Sequence, residues 1–371
     1  MPLLARLGSS RGSRVTALSC GPLTDMQPQA LGVTYWFDTT ATGDPYSVNV
    51  YLEGRPAGSG NDQPAGFTKV TTVDPVVPGS GPVSVTTRIP EATEGVWDVA
   101  AAPVTPVADT PTQEWAVHDD PLAPAETVTG GTLYAPVNRV LAPGVVLGAW
   151  PALVALGAIA GVGLQSVLAS FTGLAVVPVA LLTVVACLLG VAGAKAYYHL
   201  THPREKKSIL TSGMSVQGFV ITVVLILLLG SQALAIPPGS LFDISAPGLL
   251  LGMTIGRLGC LLGGCCAGRP TRSRWGIWSS NRRIGVRRIP VQLLESGAAL
   301  LGCVTATIAV AALGLAGRGL VFAVSLSGYI AVRQLLFPLR DLPRITRHGR
   351  LVTLVLSAVV GLSGVGLLLL R

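Results

Sequence analysis

Long apolar segments dominate residues 140–371 and leave this part of the chain few ways to fold. A helix needs about 20 predominantly apolar residues to cross the hydrocarbon core of a bilayer. The segments that approach this length are roughly 143–168, 173–198, 213–235, 244–266, 291–316, 319–337 and 350–370. Only 12% of all residues are charged, whereas soluble domains carry about 25%. The sequence therefore predicts a polytopic α-helical membrane protein with about seven transmembrane helices.

The first part of the chain has a different pattern. Residues 30–105 contain short runs rich in Val, Thr and aromatic residues, separated by Gly, Pro, Asn and Asp. Runs of this kind are typical of β-strands, and five or more of them predict an N-terminal all-β, sandwich-like domain of immunoglobulin or fibronectin type. We expect a binding or packing domain whose partner the sequence does not identify. Residues 1–29 are predicted to be a disordered tail and residues 106–139 a linker.

The basic residues lie mostly beside the predicted membrane segments. The net charge of +8 therefore suits anionic lipid headgroups, and no interleaving of aromatic and basic residues indicates nucleic-acid binding. With seven spans, the N-terminus shares a side with the loops after spans two, four and six, which carry most of these residues. The positive-inside rule then predicts that the β domain lies on the cytoplasmic side.

Ionisable side chains fall within or at the ends of the spans: Lys195, His199, Arg257, Glu295 and Arg333. A charge in the bilayer core costs about 2.5–3.5 kcal/mol by insertion scales, so such groups usually face the bundle interior and pair. One interpretation is an Arg257–Glu295 ion pair that fixes packing. The other is a polar cavity for an anionic group, and the excess of positive charge favours it because a phosphate could balance the rest.

Other polar residues could complete such a cavity. Gln217, Gln292 and Tyr329 lie at similar depths in the predicted spans. Arg269 and Arg288 each lie against a span end, and they are the best anion contacts among the arginines of the loop after span four. The remaining arginines of that loop are expected to be solvated or to face lipid headgroups.

Three cysteines cluster in the segment GRLGCLLGGCC, at positions 260, 265 and 266. A structural zinc site needs four ligands, and Cys260 and Cys265 are not one helical turn apart. Metal binding and thiol redox chemistry are the alternatives to a packing role as small buried residues. We predict packing, with no metal and no cofactor.

Several segments stand in an order that resembles one family of membrane enzymes. They are AGAKAYYHL (192–200), GMSVQGF (213–219), DISAPGLLLGMTIGRLGCLLGGCCAGRPT (243–271), RRIPVQLLES (287–296), GLVFAVSLSGYIAVRQLLFPLRD (319–341) and HGRLVTLVLSAVVG (348–361). Each segment alone is a weak signal, but together they resemble the prolipoprotein diacylglyceryl transferase family over about residues 140–371. The β domain lies outside the resemblance.

The resemblance implies an enzyme of the bacterial plasma membrane that acts in lipoprotein biosynthesis. Its substrates would be phosphatidylglycerol and the lipobox peptide of a prolipoprotein, and the diacylglyceryl group would pass to the lipobox cysteine thiol as a thioether. The roles it implies are phosphate contact for Arg257 and Arg288, cavity organisation for Gln292 and Glu295, and cavity lining for Tyr329 and Arg333. It also implies an extracytoplasmic N-terminus, which conflicts with the positive-inside prediction.

This chain departs from the family pattern at positions that matter for proton transfer. Gln217 stands where the family has a histidine. Cys260 replaces an asparagine and Lys195 replaces an arginine, and the resemblance implies substrate binding for both. If transfer occurs, His199 or Glu295 must accept the proton of the thiol. The alternative is a non-catalytic phospholipid-binding homologue whose β domain serves as a binding or assembly module.

Overall fold

The chain folds into two compact units. The computed structural model describes residues 14–19, 26–59, 66–106, 115–117, 122, 125–201, 214–342 and 348–370. One unit comprises Met1–Trp150, Cys260–Gln292 and Leu339–Leu342, and we call it the β unit. The other comprises Pro151–Gly259, Leu293–Pro338 and Pro343–Arg371, and we call it the helical unit.

The β unit consists of two antiparallel sheets. Its strands are β1 (Val15–Ala17), β2 (Gln29–Phe37), β3 (Tyr46–Pro56), β4 (Phe67–Val76), β5 (Val83–Ile89), β6 (Val96–Pro106), β7 (Trp115–Val117), β8 (Glu126–Gly131), β9 (Leu133–Tyr134), β10 (Ile277–Ser280) and β11 (Ile284–Arg288). One sheet has the order β1-β2-β5-β11-β10, with β9 also on β2, and the other has the order β4-β3-β6-β7, with β8 also on β6. Side chains of both sheets, such as Tyr35 and Leu52, form one buried core. The predicted sandwich-like domain is therefore present.

One edge of this domain comes from the C-terminal half of the chain. Strands β10 and β11 form a hairpin, and β11 pairs with β5 so that Ile284 lies opposite Val85. The Asn281 carboxamide oxygen accepts the Ile284 N–H at 2.7 Å and thereby shapes the turn. Trp278 stacks on Trp36 with ring centroids 5.5 Å apart. Part of the Arg-rich loop, expected to be a solvated or headgroup-facing segment, is therefore a β-hairpin, while Arg272, Arg274 and Arg283 are exposed as expected.

The domain also extends beyond residues 30–105 towards both ends. The segment 106–139, expected to be a linker, contains β7, β8 and β9, because β6 offers pairing positions that the Thr- and Gly-rich sequence of β8 can fill. The segment 1–29, expected to be a disordered tail, contributes β1 beside β2. Residues 1–13 and 20–25 lie outside the described part of that segment.

Arg88 on β5 ties the hairpin to the chain that leaves the β unit. Its Nε donates to the Asn138 carbonyl at 2.6 Å, and one Nη donates to the carbonyls of Leu141 and Arg282 at 3.0 and 2.8 Å. Burial and then the nearby charge of Arg282 lower the pKa of this guanidinium. Arg88 therefore links three separate backbone segments.

Replacing Arg88 by methionine should destabilise the β unit by about 2–3 kcal/mol, because three carbonyls lose a charged donor. The midpoint of thermal unfolding in detergent measures the effect. Arg139→Met, at an exposed position nearby, is the matched control and should leave the midpoint unchanged. An equal midpoint for the two variants would show that Arg88 does not hold the hairpin.

The remaining elements are helices. They are α1 (Ala135–Asn138), α2 (Ala149–Phe171), α3 (Val176–Thr201), α4 (Val216–Ala233), α5 (Pro238–Leu262), α6 (Val291–Leu313), α7 (Leu320–Leu336) and α8 (Gly349–Leu369). Six of those described, α2, α3 and α5–α8, are long and apolar enough to cross a membrane, and α4 is a shorter apolar helix. The chain is a multi-pass membrane protein, as predicted.

The pairing of β11 with β5 fixes the parity of the crossings. Both strands belong to one sheet, so the chain must cross the membrane an even number of times between them. Helices α2, α3 and α5 are long and apolar enough for three crossings, and α4, a shorter apolar helix, is the candidate for the fourth. With 18 residues it is about 27 Å long, close to the roughly 30 Å hydrocarbon core. Six described helices meet the length and hydropathy of a membrane span, and the seventh crossing stays a prediction.

Glycines set the contact between α2 and α5. A Cβ on Gly161 would lie 2.6 Å from the Gly248 carbonyl oxygen, and one on Gly157 would lie 2.8 Å from that of Gly252. Neither distance is possible for a real side chain, so these positions must stay glycine for the backbones to approach as closely as they do. This contact holds the helix that carries Arg257.

Candidate functional site

Arg257 and Glu295 form an ion pair inside the helical unit. Arg257 Nε on α5 lies 3.0 Å from Glu295 Oε2 on α6, and the carboxylate side chain is 1% exposed. The Ser296 hydroxyl donates to the Thr254 carbonyl at 2.8 Å, which joins the same two helices close to the pair. The ion pair that the sequence offered as one interpretation is therefore present.

Tyr329 on α7 is a second candidate group of the helical unit. It is 6% exposed and belongs to the buried core that also contains Leu250 and Ala299. Among the described residues, no atom forms a hydrogen bond with its hydroxyl. Leaving such a group unpaired costs about 1–3 kcal/mol. Arg333, half-buried, follows one helical turn later.

Asp243 on α5 has a role that the sequence reasoning missed. Its carboxylate, 1% exposed, accepts the backbone N–H groups of Gly319 at 2.8 Å and Phe322 at 3.0 Å. These are donors at the N-terminus of α7, where a negative charge is favourable. A Cβ on Gly317 would lie 2.3 Å from Asp243 Oδ2, so that position needs glycine. The signal that could have found this residue is an acid inside an apolar segment.

Lys195, His199 and Gln217 lie where α3 ends and α4 begins. The Ser215 N–H donates to the Ala194 carbonyl at 3.0 Å, which brings the two segments together. Gln217 is exposed, and its carboxamide oxygen accepts the Ser215 hydroxyl at 2.7 Å. His199 is also exposed, whereas Lys195 is half-buried.

Arg288 in the β unit is surrounded by protein acceptors. One Nη donates to the Gly268 carbonyl at 2.9 Å and to Asp341 Oδ2 at 2.7 Å, and the other donates to the Ile284 carbonyl at 3.3 Å. Burial lowers the pKa of this arginine, and the Asp341 charge opposes that shift. These contacts hold the guanidinium inside the β unit, where the side chain is 1% exposed, and the predicted phosphate contact stays a prediction.

Arg269 is exposed and Gln292 is buried. The Arg269 backbone N–H donates to the Leu339 carbonyl at 2.9 Å, and its Nε donates to the Arg340 carbonyl at 3.4 Å. The Gln292 carboxamide donates to the Cys265 carbonyl at 3.0 Å. It thus supports the backbone of the cysteine-bearing segment.

The three cysteines of that segment converge because α5 ends between them. The Cys265 N–H donates to the Cys260 carbonyl at 3.0 Å, the Gly264 N–H donates to the Leu261 carbonyl at 3.3 Å, and Gly264 has φ of 64°. This is the Schellman motif, in which the residues at the positions of Cys260 and Cys265 touch. The helical-spacing argument fails here because the helix stops at Leu262.

We call Cys260, Cys265 and Cys266 the three-thiol cluster. Their Sγ atoms all lie within 4.8 Å of one another. Hydrogen bonds with the other two thiols, and then burial, raise the pKa of Cys265.

The predicted site residues divide between the two units. The helical unit contains Lys195, His199, Gln217, Arg257, Glu295, Tyr329 and Arg333, and the β unit contains Cys260, Arg269, Arg288 and Gln292. Within the helical unit, the structure pairs Arg257 with Glu295 and places Gln217 close to the segment of Lys195. Within the β unit, Gln292 supports the three-thiol cluster.

Comparison with known proteins gives the family. A model of prolipoprotein diacylglyceryl transferase matches residues 141–370. A phosphatidylglycerol–prolipoprotein diacylglyceryl transferase of Dehalococcoides mccartyi is 35% identical over 113 residues, which is 29% of this chain and 42% of the relative. The enzymes of the same name from Bordetella avium and Geobacter sulfurreducens are 34% and 35% identical over 28% and 27% of this chain, and 39% and 38% of their own lengths.

These matches span about two fifths of the length of the curated relatives. The family match is much longer, because it covers all the helices from α2 to α8 and more than half of the chain. The chain therefore belongs to the prolipoprotein diacylglyceryl transferase family.

Proposed function

We propose that this protein transfers the diacylglyceryl group of phosphatidylglycerol to the cysteine thiol of a lipobox peptide. A new S–C bond forms at the glycerol carbon, and the C–O bond to the phosphate breaks. Glycerol phosphate departs with the electron pair, and the thiol proton is released. The observation that carries the proposal is a buried arginine, Arg257, held by Glu295 inside a membrane-spanning helix.

Arg257 is proposed to stabilise the departing phosphate. Charge develops on the phosphate oxygen as the C–O bond breaks, and a fixed donor at that point lowers the barrier most in a site that excludes water. Glu295 contacts the Nε edge of the guanidinium at 3.0 Å and so fixes its plane. The planar fork can then receive two phosphate oxygens at once.

Further residues of the helical unit would complete the lipid site. The Tyr329 hydroxyl, buried without a protein hydrogen-bond partner in the described residues, would donate to an oxygen of the lipid. Arg333, one turn further on α7, and Lys195 would add positive charge for the headgroup. In the β unit, we assign Arg269 to headgroup contact, and Arg288 and Gln292 to positioning of the loop.

The thiol needs a proton acceptor, because a free cysteine with a pKa of about 8.5 is mostly protonated at neutral pH. Gln217 cannot serve as a base. Glu295 and His199 remain the candidate acceptors among the residues of the helical unit. Because Glu295 is ion-paired to Arg257, it would accept the proton only once a phosphate bound at the fork of the guanidinium balances the arginine charge.

The second candidate function is phospholipid binding without transfer. The observation that favours it is that Gln217, which the resemblance puts where the family has a histidine, is exposed and carries no basic group. In that case the lipid site would persist, and the β unit would bind or assemble with a partner. The two functions differ in one product, glycerol phosphate.

The test combines purified full-length protein, phosphatidylglycerol in detergent and a lipobox peptide, with a serine-for-cysteine peptide as control. We expect glycerol phosphate and a diacylglyceryl-modified peptide only with the cysteine peptide. Arg257→Gln should lower the rate by about 10²–10³-fold, as loss of a transition-state donor does, whereas the exposed-site variant Arg139→Gln should not. Bound lipid with no product from either peptide would favour the binding function instead.

A further inference from the structure

The three-thiol cluster has the dimensions of a metal site. Its Sγ atoms lie within 4.8 Å of one another. With a zinc–sulfur distance of about 2.3 Å, tetrahedral thiolates lie roughly 3.8 Å apart. Small rotations of the cysteine side chains could bring the Sγ atoms to this tetrahedral spacing without any change in the backbone.

The backbone that carries the cluster is held in place from outside. The Gln292 carboxamide donates to the Cys265 carbonyl at 3.0 Å, and Arg282 Nε donates to the Gly263 carbonyl at 2.8 Å. Together with the Schellman motif, these bonds fix the segment before any ligand binds. Ligands that are fixed in this way bind a metal with less loss of entropy.

The conformation of Cys266 argues against a mere packing role. Its φ of 54° is left-handed, and a non-glycine residue held there costs on the order of 1–3 kcal/mol. The two residues before Cys265 are glycines, so the chain has glycine available where conformation alone matters. A packing role does not require a thiol at position 266. A role as the third metal ligand does require one.

The location favours a cation. Cys260 lies in the last turn of α5, and Cys265 and Cys266 follow its end. The carbonyl end of a helix carries partial negative charge and stabilises positive ions. No histidine, aspartate, glutamate or fourth cysteine completes the group within the described part of the chain. Three protein ligands and one open position are typical of zinc sites that bind an exogenous ligand.

We propose that the three-thiol cluster binds zinc through three thiolates and keeps its fourth position open for an exogenous thiolate. Binding would release the three thiol protons to solvent, and water would fill the fourth position. An incoming thiol would displace that water and lose its proton to solvent, because zinc-bound thiols are deprotonated. Identifying this thiol as the lipobox cysteine rests on the proposed function, and it would supply the activation that Gln217 cannot.

The test uses the reduced full-length protein, freed of metal with a chelator and then titrated with Co²⁺ without oxygen. We expect one cobalt per chain, with thiolate-to-cobalt charge-transfer bands and the visible bands of tetrahedral cobalt, and Zn²⁺ should displace it. Cys260→Ser, Cys265→Ser and Cys266→Ser should each weaken binding by more than the 10–100-fold that loss of a supporting residue costs. Cys303→Ser, at a buried cysteine on α6, is the matched control and should bind cobalt normally.

The lipobox peptide then tests the open position. Adding the cysteine peptide should shift the visible cobalt bands, and the serine peptide should not. Cobalt bands that do not change with the cysteine peptide would overturn the proposal of an open fourth position. The zinc site itself would be overturned if no cobalt bands appeared, if only Cu⁺ were bound, or if a disulfide formed within the cluster. Glycerol-phosphate release is measured separately, so the proposed function can stand while this proposal fails, and the reverse also holds.

Discussion

Replacing Glu295 by leucine is expected to destabilise the protein by about 3–5 kcal/mol, because it leaves the buried charge of Arg257 without its partner. Arg257→Met should do the same to Glu295, whose side chain is 1% exposed. The double variant should recover most of the lost stability, since neither charge is then buried alone. The midpoint of thermal unfolding in detergent gives the stability of each variant.

The same variants separate a packing role from a binding role. If Arg257 contacts the phosphate, the double variant should be stable and yet release no glycerol phosphate. A stable double variant with full activity would reduce the pair to a packing device. The half-buried pair Arg55–Glu53, 2.7 Å apart with side chains 32% and 30% exposed, is the control, because pairs in contact with solvent contribute about 0–1 kcal/mol.

The membrane helices could be predicted because apolar length is a local property of the sequence. The hairpin of β10 and β11 could not be predicted in the same way. It pairs with β5, and no local pattern in a strand says which distant sheet edge it will join. Its many arginines instead indicated a lipid-facing loop. Only the fold brings Arg88 to the Arg282 carbonyl.

The candidate site likewise contains some residues that could be predicted from local sequence and others that could not. Arg257 and Glu295 stood out in the sequence because a charge inside a span must find a partner. The three-thiol cluster did not, because its convergence depends on where α5 stops and on the left-handed residue Gly264. Sequence spacing along an uninterrupted helix gives the wrong answer for residues that straddle a helix end.

Asp243 escaped prediction for a related reason. Its partners are backbone N–H groups at positions 319 and 322, and backbone donors leave no trace in a sequence. The residue acts as the capping side chain of α7, although it belongs to α5. It therefore determines where α7, with Tyr329 and Arg333, begins.

Asp243→Leu should cost about 2–4 kcal/mol of stability, since two N–H groups at a buried helix end lose a charged acceptor. Asp243→Asn should cost less, because its carbonyl oxygen still accepts one bond. Gly317→Ala should resemble the leucine variant, since its Cβ would lie 2.3 Å from the carboxylate. The midpoint of thermal unfolding in detergent measures the stability of each variant, and Asp44→Asn at an exposed position is the control. Equal midpoints for leucine, asparagine and wild type would mean that α7 does not need this cap.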